Sequence, residues 1–180
     1  MHACCAPCAV KCVGTLRKEG IEPSILWANP NIHPYTEYES RRSCLKDFCL
    51  REQLDLFEEG SYGLRTFLEG VSRTEPRCRY CYDVRLDTTA RYAAEHGFDA
   101  FTTTLLISPY QKHYLIAAIG EEKAAKYGLQ FLYRDFRPFF REGQALARAS
   151  GFYMQKYCGC IFSEEERYLG TKKTNNGFPK

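Results

Sequence analysis

The chain has 180 residues, of which 44% are apolar and 26% charged, and its formal net charge is +3. That size and balance describe one compact folded unit and exclude both a disordered chain and two large independent cores. The charge is too small to establish a polyanionic partner. No apolar run reaches the roughly 18 residues needed to cross a bilayer, and no long apolar stretch of signal type opens the chain, so the expected setting is cytoplasmic without a membrane.

In chain order, Met1-His2-Ala3 leaves almost no room for the strand with which a parallel α/β domain opens. The expectation is therefore a truncated first strand, or an amino end anchored by metal alone. Pro7 at a first turn and Gly20 beyond Leu16 predict a helix over residues 7–19, with a cysteine cluster at its amino end. Residues 23–28 read as a short buried strand that closes on Asn29-Pro30-Asn31. Thr36 and Glu39 form a capping-box pattern for a helix through Tyr38, Cys44, Leu45 and Phe48.

A third helix is predicted from near Cys78 through Leu86 and Ala90 to a stop at Gly97. Residues 98–107, rich in aromatic, threonine and branched side chains, carry the strongest strand signal in the chain. Ser108, Pro109 and Gln111 read as cap, proline and capping-box partner of a helix ending near Gly128, and residues 130–133 as another strand. Alternating strands and helices of these lengths predict a layered α/β domain over residues 1–170, built on a parallel sheet and followed by a polar tail over 171–180. In such a sheet the ligand site lies beyond the carboxyl ends of the strands, where Cys4 to Cys8, Asn29 to His33 and Ser108 to His113 would converge.

Ten cysteines, about 5.6% of the chain, fall short of a disulfide scaffold and cluster instead as Cys4-Cys5-x-x-Cys8, Cys78-x-x-Cys81 and Cys158-Gly-Cys160. Thiolates are soft ligands that select zinc, cuprous copper or iron-sulfur clusters. A structural zinc held by Cys78, Cys81, Cys158 and Cys160 has acceptable spacing but leaves Cys4, Cys5 and Cys8 idle. A cluster with a second metal uses the surplus, and a simple dithiol oxidoreductase is a third reading. Cys12, Cys44 and Cys49 read as packing residues, and His2 and His96 as structural. His33 and His113 stand near the expected site edge, while Tyr110, Arg41, Arg42 and Arg85 are the residues that could stack a base or meet a phosphate.

Five segments together resemble the QueH family of epoxyqueuosine reductases: residues 2–8 with Cys4-Cys5-Ala6-Pro7-Cys8; residues 29–34; residues 77–86 with Cys78, Cys81 and Arg85; residues 101–110; and residues 155–160. The resemblance runs from His2 to about Arg167. It implies a fold like the adenine-nucleotide α-hydrolase (HUP-like) group and reduction of the cyclopentane epoxide of epoxyqueuosine in a tRNA anticodon loop. It also implies a 4Fe-4S cluster with an additional iron, no cobalamin, and an electron donor outside the chain.

The metal-site candidates carried over are Cys4, Cys5, Cys8, Cys78, Cys81, Cys158 and Cys160, and in the family an aspartate can replace the residue at the Cys8 position. Asn29, Asn31 and Arg85 are the implied substrate contacts, and Tyr110 and His113 the candidate proton donors. Similar tRNA sulfur-transfer enzymes carry a Ser-Gly-Gly-x-Asp-Ser phosphate loop where this chain has its cysteines, which disfavours ATP use. A zinc-stapled RNA-binding module is the non-enzymatic alternative.

Overall fold

The computed structural model describes residues 1–170, so the polar tail expected at 171–180 lies outside the described residues. Four short strands, β1 (Ile25–Trp27), β2 (Leu56–Glu58), β3 (Ala100–Phe101) and β4 (Gln130–Phe131), form two parallel pairs, β1 with β2 and β3 with β4. His2 joins the pairs, bridging Leu26 on one side and Thr103 on the other, both in parallel sense.

The supporting hydrogen bonds alternate as in a parallel ladder. His2 N–H donates to Thr102 O at 2.8 Å and Thr104 N–H to His2 O at 2.9 Å; Ala3 N–H donates to Leu26 O at 3.0 Å and Leu26 N–H to Met1 O at 2.9 Å. Residues 1–3 thus occupy the centre of the order β2, β1, residues 1–3, β3, β4. This corrects the expectation of an amino end held by metal alone: backbone pairing on both sides holds it. The strand order reverses at this segment, which makes the carboxyl end of residues 1–3 a topological switch point.

Helix α1 (Ala6–Lys18) follows immediately, with Pro7 in its first turn and Ala9, Cys12, Val13 and Leu16 buried. Helix α2 (Tyr35–Arg51) begins before the predicted capping box. Pro34 is its cap, and no side chain caps it, because the ring presets the backbone dihedral that starts a helix. Helix α4 (Arg77–Glu95) matches the prediction apart from its ends. Helix α5 (His113–Tyr127) starts later than expected and stops at Gly128 in the left-handed conformation, as predicted.

The strand expected over residues 98–107 is mostly not one. Thr103 Oγ1 accepts from Leu105 N–H at 3.1 Å and caps a 3-10 turn (Thr104–Ile107), which buries Leu105, Leu106 and Ile107 at the sheet edge. Ser108 is likewise not the cap of α5; its hydroxyl accepts from Tyr110 N–H at 3.3 Å and closes a separate turn. Helices α3 (Leu64–Val71), α6 (Phe140–Ala149) and α7 (Ile161–Tyr168) complete the fold, with α1 packed on α6 and α4 on α5. Gly120 lets α5 approach β4: a Cβ there would lie 2.4 Å from the Phe131 ring. Among the described residues no helix is long and apolar enough to cross a membrane.

Candidate metal centre

Cys4 and Cys5 follow the central segment directly, and Cys8 lies one turn into α1. Their three Sγ atoms lie within 4.8 Å of one another and all three residues are buried, with Cys4 and Cys5 Sγ 3.9 Å apart. Four sulfurs set tetrahedrally at about 2.3 Å from one metal would stand ~3.8 Å apart, so the triad has the spacing of a single-ion site. Sulfur hydrogen bonds from Cys5 and Cys8 hold the Cys4 thiol well below its usual range, with help from the charge of Arg85. Cys5 is pushed up by burial and by its neighbours, and Cys8 by its bond to Cys4. Cys4 is thus the thiol of the triad that ionises most readily, and a bound cation would favour loss of the other two protons.

Around it stands a polar brace. Gln155 Nε2 donates to Cys5 Sγ at 3.0 Å and to Cys8 Sγ at 3.7 Å, and Thr104 Oγ1 lies 3.9 Å from Cys4 Sγ. His2, taken from the sequence as structural, is the keystone of this edge. Its Nδ1 lies 2.9 Å from Thr103 Oγ1 and its Nε2 lies 3.1 Å from Asn29 Oδ1, while Asn29 Nδ2 donates to Ala3 O at 2.9 Å. That amide orientation places the His2 proton on Nε2. Burial, then the nearby Arg85 cation, push the His2 pKa down to about 3, so the ring is neutral.

The second set of thiols faces the first across Arg85. Cys78 and Cys81 lie in the first turns of α4, Cys158 lies in the loop before α7, and Cys160 caps α7. Burial pushes the Cys81 thiol up, against the lowering effect of the Arg85 charge. Among the described residues only Cys4, Cys5 and Cys8 bring three ligand atoms within 4.8 Å, so Cys78, Cys81, Cys158 and Cys160 are not gathered about a point as one zinc requires.

Arg85 is 1% exposed and donates through Nη2 to Cys81 Sγ at 3.0 Å and through Nε to Cys81 O at 2.9 Å. Among the described residues it forms no ion pair with a carboxylate; the groups acting on it are Cys81, Cys4, Cys158 and Tyr82, over whose ring it lies at 5.8 Å. A guanidinium cannot shed its proton, so its burial is compensated only when those sulfurs are anionic.

The loop carrying Cys158 is clamped by Arg41, which the sequence offered as a base or phosphate contact and the structure buries instead. Its Nη1 and Nη2 donate to Cys158 O and Tyr157 O, each at 2.9 Å, and its Nε to Glu37 Oε1 at 2.6 Å. Tyr153 O–H donates to the other Glu37 oxygen, and Tyr157 O–H to His33 O at 2.7 Å. Gly159 has φ +138°, and a Cβ there would meet Arg41 Nη1 at 3.2 Å and Ile32 Cγ1 at 3.3 Å. Gln111 Nε2 completes the surround, donating to Cys158 Sγ at 3.1 Å.

The remaining candidates are placed as follows. Asn29 spends both ends of its amide on the brace. Asn31 is buried with Oδ1 unpartnered, beside a cavity that Cys81 also lines. His113 Nε2 bonds Ser108 O at 3.0 Å, and its Nδ1 has no partner. Tyr110 is 74% exposed, its ring edge-on to Phe140. No hydrogen bond among the described residues joins Tyr110 or His113 to a thiol.

Comparison with known proteins gives the chain its family. The family described as epoxyqueuosine reductase QueH matches residues 1–166. The chain belongs to the QueH family. An epoxyqueuosine reductase QueH of Dehalococcoides mccartyi is 37% identical over 169 residues, covering 93% of both chains. The QueH of Thermotoga maritima is 33% identical over 178 residues, covering 93% of this chain and 90% of its own. That of Haemophilus influenzae is 33% identical, covering 91% of this chain and 70% of its own. QueH proteins are by name oxidoreductases, and the buried triad of Cys4, Cys5 and Cys8 could hold a metal ion.

Proposed function

We propose that this QueH chain reduces the epoxide of epoxyqueuosine to an alkene within a tRNA anticodon loop, in the cytoplasm, with a 4Fe-4S cluster and an additional iron held by Cys4, Cys5, Cys8, Cys78, Cys81, Cys158 and Cys160. The observation that carries this reading is the buried triad at the switch point, with the buried Arg85 bonded to Cys81 of the second thiol set and close enough to feel the charge of Cys4. The donor set fits: it is all thiolate, and soft ligands in this number suit iron-sulfur chemistry. The parallel order that reverses at residues 1–3 also supports the HUP-like assignment.

When bound, the cluster supplies electrons one at a time and the neighbouring iron a Lewis acid for the epoxide oxygen. The chain's own residues do the rest. Arg85 holds a fixed positive charge against Cys81, which favours accumulation of negative charge at that point. Gln155 and Gln111 orient Cys5, Cys8 and Cys158. Arg41 and Glu37 hold the Cys158 loop in register with α2. An anticodon-loop base is single-stranded and can be turned out toward the centre.

Anaerobic iron and labile-sulfide analysis, followed by an epoxide-reduction assay on tRNA, tests the reading. About five irons and four sulfides per chain with turnover support it, by the ligand count above. One zinc, no sulfide and unchanged tRNA refute it and leave a zinc-stapled RNA-binding module.

A further inference from the structure

A cavity of about 250 Å³ lies between the turn after β1, the start of α3 and the first turns of α4, lined among others by Pro30, Asn31, Phe67, Tyr80, Cys81 and Val84. Its walls are mainly apolar and aromatic. Cys81 is the one thiol among its lining residues, so the space adjoins the metal centre and does not contain it. Asn31 is 2% exposed, yet its Oδ1 has no hydrogen-bond partner. A buried acceptor without a donor is unfavourable unless something else supplies the donor. Gly63 shapes the same wall: a Cβ there would lie 2.9 Å from Pro30 Cβ, so only glycine lets the entry to α3 close on that turn.

We propose that this cavity receives the epoxide-bearing cyclopentane of the substrate, with Asn31 Oδ1 accepting a hydrogen bond from an O–H or N–H donor on or next to that ring. The assignment rests on the functional reading above and deepens it. The volume is below the usual range for a whole drug-sized ligand, roughly 300 Å³ and upward, and matches one ring with its substituents. A saturated ring has apolar faces suited to Phe67, Val84 and Pro30, and a donor at its rim meets the one orphaned oxygen. Cys81 at the wall places that ring against the edge of the thiol set where Arg85 fixes positive charge. Selectivity for the modified base then comes from filling this space, while the rest of the tRNA is held elsewhere.

The test uses two tRNAs that differ only in the epoxide-bearing modification, with binding measured on the iron-loaded protein without reductant and turnover measured after a low-potential chemical reductant is added. Asn31→Leu removes the acceptor, and Val84→Phe fills the cavity from the opposite wall. Wild type is expected to prefer the modified tRNA. Each variant is expected to lose about tenfold of that preference, to raise KM more than it lowers kcat, and to keep wild-type iron content and wild-type affinity for the unmodified tRNA. Iron content reports folding, and the two variants come from separate elements. Unchanged preference in an iron-replete variant overturns the pocket while leaving the reductase reading intact. A wild-type protein that turns over no epoxide refutes the reductase reading and the pocket with it.

Discussion

Replacing Arg85 with methionine keeps most of the side chain's volume and removes its charge from a site that is 1% exposed. The guanidinium lies 3.0 Å from Cys81 Sγ. One metal–thiolate bond further, at about 5 Å and an effective dielectric near 20, a unit charge is worth roughly 3 kcal/mol to an added electron. At ~59 mV per tenfold for a one-electron couple, that corresponds to about 130 mV. The reduced centre carries one more negative charge than the oxidised one, so losing the cation stabilises oxidation and the midpoint potential of Arg85→Met falls by about that amount. Redox titration of the iron-loaded protein, followed by visible absorbance and paramagnetic resonance, measures it directly. Arg85→Lys separates charge from geometry, since it keeps the cation and loses the planar fork, and its potential should stay within about 40 mV of wild type. An iron-replete Arg85→Met protein whose potential lies within ~30 mV of wild type would refute the argument that Arg85 acts by charge.

Cys81→Ala should lose the metal centre and epoxide reduction together, whereas Cys44→Ala, whose sulfur only accepts from Tyr153 N–H at 3.3 Å, should keep both; iron analysis beside turnover tests the pair. Gly159→Ala forces a side chain into φ +138° against Arg41, so it should cost about 1–3 kcal/mol and lower iron occupancy, read by urea unfolding and metal content. His33 is buried and its pKa is pushed down to about 4, so the unfolded chain takes up a proton below pH 6.5 that the folded chain refuses. The share of stability that His33 contributes should be full above about pH 6.5 and decline as pH falls toward 4, by at most about 3 kcal/mol. In His33→Phe that part of the slope should vanish; a wild-type denaturation midpoint flat across the window would contradict the assignment.

The thiol groups were readable because metal-ligand spacing is a local property: Cys4-Cys5-x-x-Cys8 at a helix start needs no tertiary information to place three sulfurs together. The helices α1, α4 and α5 were readable from proline, glycine and apolar periodicity, although α5 begins five residues after its supposed cap. Strands β1 and β4 were placed correctly but shortened, while β2, α3, α6 and α7 passed unnoticed. Their segments are short, eight to ten residues for the helices and three for β2; α3 does carry Leu64, Phe67, Leu68 and Val71 at helical spacing, but over only two turns. Arg41 and Arg85 read as possible base or phosphate contacts and not as buried cations, because side-chain burial is decided by partners up to 117 residues away, as between Arg41 and Cys158. His2 could have been suspected from its position directly before Cys4 in a chain with no other first strand, but nothing local names Asn29 and Thr103 as its partners.

Local chemistry thus determined the longer helices, the cysteine clusters and the family resemblance, since each depends on residues within a few positions of one another. Only the tertiary structure decided that residues 1–3 form the centre of the sheet, that the strand order reverses there, and that one buried arginine stands between the two thiol sets. Those features depend on parallel pairing across long crossovers and on removing charge from water, and a linear pattern of residues does not encode either until distant segments are packed together.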